Sequence, residues 1–262
     1  MSGELGARVL AAIPAVAFAL FIVVSGGWIF AAGIGLLGLV CLHELYRMYD
    51  HVQPVRLAGF LALIGIVVAA QAGDQTQVLL VFAAAFPLTF LLGLAVPHKR
   101  LTAAVSLTLL GVFWIGLAIA HGVLLRELEH GDGILIDVLV GTFLGDTGAY
   151  LGGRAFGRRQ LAPSVSPAKT VEGLAIGIVV AVVATWCAGL YQDWLSHGEA
   201  LLLGAAVAVA APVGDLFESK VKRDAGTKDA GGLFGAHGGA LDRLDAALFT
   251  LVAGYYVWLA LS

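Results

Sequence analysis

The residues best suited to chemistry lie between Ser219 and Asp245, a polar block flanked by apolar sequence. Lys220, Lys222, Arg223, Lys228 and Arg243 stand there with Asp224, Asp229, Asp242, Asp245 and His237, interleaved with Gly226, Gly231, Gly232, Gly235, Gly238 and Gly239. Ionisable groups beside a bilayer cost free energy, so a function is the default explanation. Glycines let a backbone approach a ligand closely and present N–H donors, and cations around such a turn make a polyphosphate cradle. The segment lacks the Gly-Lys-Ser/Thr order of a P-loop. Asp215, Ser219 and Lys222 recur at i, i+4 and i+7 and share a helix face. Asp242 and Asp245 are spaced i, i+3 at the start of another apolar segment, where the helix dipole favours carboxylates. Converging carboxylates repel one another unless a cation neutralises them. Oxygen-only ligands favour Mg²⁺, which shares phosphate oxygens with a substrate, so Asp215, Asp242 and Asp245 are the expected metal ligands. The plainer alternative is static ion pairs with Arg243, Lys220 or Lys222. His237 suits proton transfer, or a turn that binds phosphate or a backbone carbonyl.

A second polar region holds Asp146, Tyr150, Arg154, Arg158 and Arg159, then Ser166, Pro167, Lys169, Thr170 and Glu172. Hydroxyls and a cation just before an apolar helix suit an anion, because a helix start offers free N–H groups. Arg158 and Arg159 read as headgroup anchors.

These residues are positioned by membrane-spanning helices. Hydrophobic residues make up 60% of the chain and charged residues 13%, and the mean hydropathy is +0.93. A span needs about 20 mostly apolar residues. The sequence predicts nine, near 8–24, 27–45, 57–73, 77–96, 102–124, 134–152, 170–190, 199–218 and 241–261. With the N-terminus and even-numbered loops on one side, Arg126 is the one basic residue on the other. The positive-inside rule makes the basic side cytoplasmic, with the N-terminus inside and the C-terminus outside. The first segment reads as an uncleaved span, since no small-x-small cleavage site follows it. Cys41 and Cys187 fall in apolar spans and read as small buried hydrophobes. His43, Glu44 and His121 read as interfacial anchors. The expectation is a single all-α polytopic membrane domain over 1–262, with scaffold helices in 1–130 and the catalytic helices and loops in 131–262.

The ordered run Ser219, Lys222, Arg223, Lys228, Asp229, His237, Gly238, Gly239, Asp242, Arg243 and Asp245 resembles the C-terminal motif of the phosphatidate cytidylyltransferase (CDP-diglyceride synthase) family. That motif runs Ser-x-x-Lys-Arg, four residues, Lys-Asp, then His-Gly-Gly and Asp-Arg-x-Asp. Asp146, Ala149, Tyr150, Gly153 and Arg154 are similar to the family's Asp-x-x-Ala-Tyr-x-x-Gly-Arg. Ser166, Pro167, Lys169, Thr170, Glu172 and Gly173 are similar to its Ser-Pro-x-Lys-Thr-x-Glu-Gly. The likeness covers roughly residues 140–250 by motif. Ala168 departs from a frequent second Lys, Ala240 from a larger aliphatic, and Gly235-Ala236 from Pro-Gly. None of these touches the carboxylates.

The resemblance implies cytidylyl transfer from CTP to phosphatidic acid, giving CDP-diacylglycerol and pyrophosphate. It implies a catalytic set of Asp215, Lys222, Arg223, Lys228, Asp229, Asp242, Arg243 and Asp245. The substrate-binding set would be Asp146, Tyr150, Arg154, Ser166, Lys169, Thr170, Glu172, Ser219, His237, Gly238 and Gly239. Mg²⁺ is the expected cofactor, with a second cation such as K⁺ and a homodimer as further expectations. The setting is a bacterial inner or plasma membrane with the site facing the cytoplasm, and no nucleic-acid partner is expected. A polyprenol kinase or an archaeal-type lipid cytidylyltransferase is the nearest enzyme alternative. An ion-coupled transporter also uses intramembrane carboxylates, but near the bilayer centre and in two related halves. Here the charges cluster at one interface and in one half.

Overall fold

The computed structural model describes residues 16–95, 99–231 and 238–262. Their regular structure is helical apart from one short ladder. The helices are α1 (Val16–Ser25), α2 (Gly27–Met48), α3 (Arg56–Ala72), α4 (Gln75–Leu94), α5 (Leu101–Glu127), α6 (Gly131–Phe156), α7 (Val171–Gly189), α8 (His197–Asp224) and α9 (Leu241–Leu261). Among the described residues seven of these are long and apolar enough to cross a membrane, and α1 and α3 are shorter apolar helices. The chain is a polytopic all-α membrane protein. Strands β1 (Gln160–Ala162) and β2 (Ser166–Thr170) pair antiparallel between α6 and α7, with Gln160 opposite Thr170 and Ala162 opposite Ser166. This hairpin is an addition to the helix-only expectation.

Two helix boundaries bear on function. The eighth predicted span stops at 218, whereas α8 continues to Asp224, so Ser219, Lys222 and Arg223 ride on helix. Between α1 and α2 the chain turns at Gly26 and Gly27, with φ 63° and 50°. Only glycine takes that backbone without steric cost. Cys41 is buried, but Cys187 is exposed on α7, so the buried-hydrophobe reading holds for the first alone.

The chain divides into two compact units, Met1–Val123 with Asp229–Asp242, and Leu124–Lys228 with Arg243–Ser262. In the first, Tyr46 on α2 donates from its hydroxyl to Thr108 O at 2.9 Å, and Thr108 Oγ1 accepts from Val55 N at 2.8 Å. These bonds satisfy polar groups that burial would otherwise leave costly. The segment Asp229–Asp242, assigned by sequence to the catalytic half, groups with these N-terminal helices.

In the second unit, small residues let helices approach to backbone contact, the usual device of membrane helix packing. A Cβ on Gly173 of α7 would lie 2.6 Å from Ala149 O of α6, and one on Gly145 would lie 2.8 Å from the Ala181 Cβ. A Cβ on Gly214 of α8 would lie 2.6 Å from Asp245 O of α9. Thr142 and Thr250 join α6 to α9 by a hydroxyl bond of 2.8 Å.

Candidate active site

The close passage of Gly214 against Asp245 O puts the next residue of α8, Asp215, beside the Asp245 carboxyl. The two side chains are within hydrogen-bonding reach, and the Asp215 charge also acts on Asp146 of α6. Lys169, at the end of β2, forms an ion pair with Asp215, and its charge is felt by Asp146 as well. Four sequence-predicted residues from α6, β2, α8 and α9 therefore meet: Asp146, Lys169, Asp215 and Asp245. Lys169 pairs with Asp215 and its charge acts on Asp146, while Asp245 joins the group through Asp215 and Asp146. The side chains of Lys169 and Asp215 are 25% and 28% exposed, while the Lys169 Nζ itself is buried.

The residues around Lys169 hold the hairpin in place. Thr170 caps α7, its hydroxyl accepting from Gly173 N at 3.1 Å, as expected of a Thr at this position. Glu172 accepts from the backbone N–H groups of Arg158 and Arg159 at 3.0 and 3.1 Å. Arg223 of α8 donates to Val165 O at the hairpin turn at 3.2 Å. Thus Thr170, Glu172 and Arg223, expected at the substrate, each make a bond that fixes this loop. Ser166 is half-buried in β2, while Tyr150 and Arg154 are exposed on α6.

At the end of α8 the ion pairs differ from the anticipated ones. Lys222 reaches Glu218 at 2.6 Å, and Lys220 reaches Asp224 at 2.6 Å. Ser219 is half-buried, and Lys228 and Arg243 are exposed. Glu218 is fully buried and was not anticipated as a site residue. Its i−4 spacing from Lys222 was the available signal.

The remaining candidates lie in the first unit. Asp242 accepts from Ala230 N at 3.0 Å and from Gly239 N at 2.7 Å. Gly238 has φ 80°, and a Cβ there would lie 2.6 Å from Asp242 Oδ2. Asp229 is exposed. His237 lies outside the described residues. Glu44 is buried and accepts from Leu241 N at 2.9 Å. The anchor reading of Glu44 is thereby corrected. His121 is also buried, its Nδ1 2.6 Å from Leu117 O.

The family model described as Cytidylyltransferase family matches residues 6–261. The chain belongs to the cytidylyltransferase family. Similarity to individual proteins runs nearly end to end. A Synechocystis protein named phosphatidate cytidylyltransferase is 32% identical over 95% of this chain and 94% of its own length. A Bacillus subtilis protein of the same name is 31% identical over 95% of this chain and 96% of its own. A Mycobacterium tuberculosis protein of that name is 35% identical over 58% of this chain and 47% of its own.

For this cytidylyltransferase-family chain, the donor chemistry of the cluster suits the implied Mg²⁺. Asp146, Asp215 and Asp245 offer oxygen alone, and one ammonium, paired with Asp215, stands against this excess of carboxylates. Among the described residues, no group of three or more His, Cys, Asp or Glu side chains is already arranged to hold a metal ion.

Proposed function

We propose that this chain transfers a cytidylyl group from CTP to phosphatidic acid. A phosphatidate oxygen forms a bond to the α-phosphorus of CTP, the bond to the bridging α–β oxygen breaks, and CDP-diacylglycerol and pyrophosphate result. The attacking phosphate is already anionic, so no strong base is required. Positioning and charge neutralisation then carry the rate. The carrying observation is the meeting of Asp146, Lys169, Asp215 and Asp245 in a chain of this family. The end-to-end match to proteins named phosphatidate cytidylyltransferase supports the substrate assignment.

Asp215 and Asp245, with Asp146, are the candidate Mg²⁺ holders. The ion would neutralise triphosphate oxygens, and a second cation such as K⁺ would add to that. Lys222, Arg223, Lys228 and Arg243 offset charge on the departing pyrophosphate. Lys169, Arg154, Ser166 and Thr170 serve the lipid phosphate or the nucleotide. A lateral opening between helices would admit the acyl chains; a small crevice of about 30 Å³ lined by Gly145, Asp146, Ala149, Gly177, Ala181 and Pro212 lies beside the cluster. The enzyme is a nine-span protein of the bacterial plasma membrane, N-terminus inside and C-terminus outside, with a cytoplasmic site, and a homodimer is its proposed assembly. The skewed placement of Lys and Arg supports this orientation. Labelled CTP supplied to purified protein with phosphatidic acid tests the activity. Labelled liponucleotide is the expected product, and incorporation into no lipid would overturn the reading.

A further inference from the structure

Glu44 sits in α2 among Leu42, Leu45 and Tyr46, each fully buried, and is itself 5% exposed. A carboxylate in such surroundings is costly unless hydrogen-bonded. Its bonds are not made within its own helix: Oε2 accepts from Leu241 N at 2.9 Å. Two glycines press on the same carboxyl. A Cβ on Gly231 or on Gly239 would lie 2.6 Å from Glu44 Cδ. Glu44 therefore touches both flanks of the glycine-rich segment, Gly231 on one side and Gly239 with Leu241 on the other. Asp242 ties the same flanks through Ala230 N and Gly239 N. Two carboxylates, one from a distant helix, set where this segment begins and ends.

We infer that Glu44 is a positioning residue for nucleotide binding, acting through the backbone of 229–231 and 238–242. The inference rests on the proposed reading of Asp229, Gly238, Gly239 and Asp242 as part of the polyphosphate site. Glycine at 231 and 239 follows from it, since any side chain would displace the carboxyl that fixes the turn.

The test compares Glu44→Ala and Glu44→Gln with the parent, each as the full chain in detergent. Hydrogen exchange of peptides covering 229–242 is read beside KM and kcat for CTP and for phosphatidic acid. A hydrogen bond to a charged group is worth about ten- to a hundred-fold. Glu44→Ala should raise KM for CTP by about that factor, leave KM for phosphatidic acid little changed, and speed exchange in 229–242. Glu44→Gln keeps an acceptor oxygen and should recover most of both effects. Parental exchange and parental KM for CTP in Glu44→Ala would overturn the inference. So would equal losses in both substrates that Glu44→Gln fails to rescue, because that pattern means a general folding defect. If the parent forms no liponucleotide, the functional reading fails by itself, and the exchange comparison still decides whether Glu44 holds the segment.

Discussion

Lys169, at the end of strand β2, forms an ion pair with Asp215 on α8, closing the hairpin loop onto the carboxylate cluster. One ammonium thereby does two things. It supplies the positive charge nearest to Asp146 and Asp215, and it ties a loop that Arg223 also holds at Val165.

Lys169→Ala should lower catalytic efficiency by roughly ten- to a hundred-fold, the range of a charge-assisted contact, and make substrate use more salt-sensitive. Arg158→Ala should do much less, because the group of Arg158 that Glu172 engages is its backbone N–H, which alanine keeps. Equal membrane insertion of the two variants is the control. The opposite ranking would mean that the wrong half of the loop has been given to the site.

Asp215→Asn, Asp242→Asn and Asp245→Asn should each remove most activity, and the parent should require Mg²⁺ or Mn²⁺. Asparagine keeps the size and one acceptor oxygen but not the charge that a hard cation needs. The Asp215 and Asp245 variants should still insert and fold, since losing a carboxylate relieves repulsion, and Asp242→Asn keeps one acceptor oxygen for the amides of Ala230 and Gly239. Full parental activity in chelator, or in any two variants, would sink the metal assignment.

Gly214→Ala should be destabilising by about 1–3 kcal/mol, the usual cost of overpacking. Its new Cβ would meet Asp245 O, and backbone yields poorly. Activity should fall with it, because α8 and α9 must separate and carry Asp215 away from Asp245. Gly116→Ala is the comparison: its Cβ would stand 3.7 Å from Ile66, an ordinary contact. Thermal melts in detergent that rank the two the other way would contradict this packing account.

A reporter fused after Ser262 should behave as extracytoplasmic, and one inserted near Gln160 as cytoplasmic. Both sites reporting the same side would show that the nine-span count is wrong.

Much of this was legible along the chain. Hydropathy located the helices, because a segment that leaves water for lipid must satisfy its backbone internally and be apolar throughout. Motif order singled out Asp146, Lys169 and Asp245, and helix-face spacing Asp215, before any of them had a spatial neighbour. Partner choice was not legible. Lys222 pairs with buried Glu218, and Asp215 with Lys169 rather than with a basic residue of its own helix. Local spacing ranks helix-face neighbours, but long side chains settle on whichever charge packing brings within reach. The β1–β2 hairpin was missed for a related reason. Its strands are short, and Arg223 and Glu172 hold it from outside.

The sequence by itself determined that this is a polytopic membrane enzyme of the cytidylyltransferase family and where its polar blocks interrupt the apolar spans, because composition and ordered motifs are properties of the chain. Only the tertiary structure decided that Glu44 belongs with the glycine-rich segment and that Asp242 engages the amides of Ala230 and Gly239. The Glu44 bond joins residues 197 positions apart, and burial, which makes an unpaired carboxylate costly, exists only once the helices have packed.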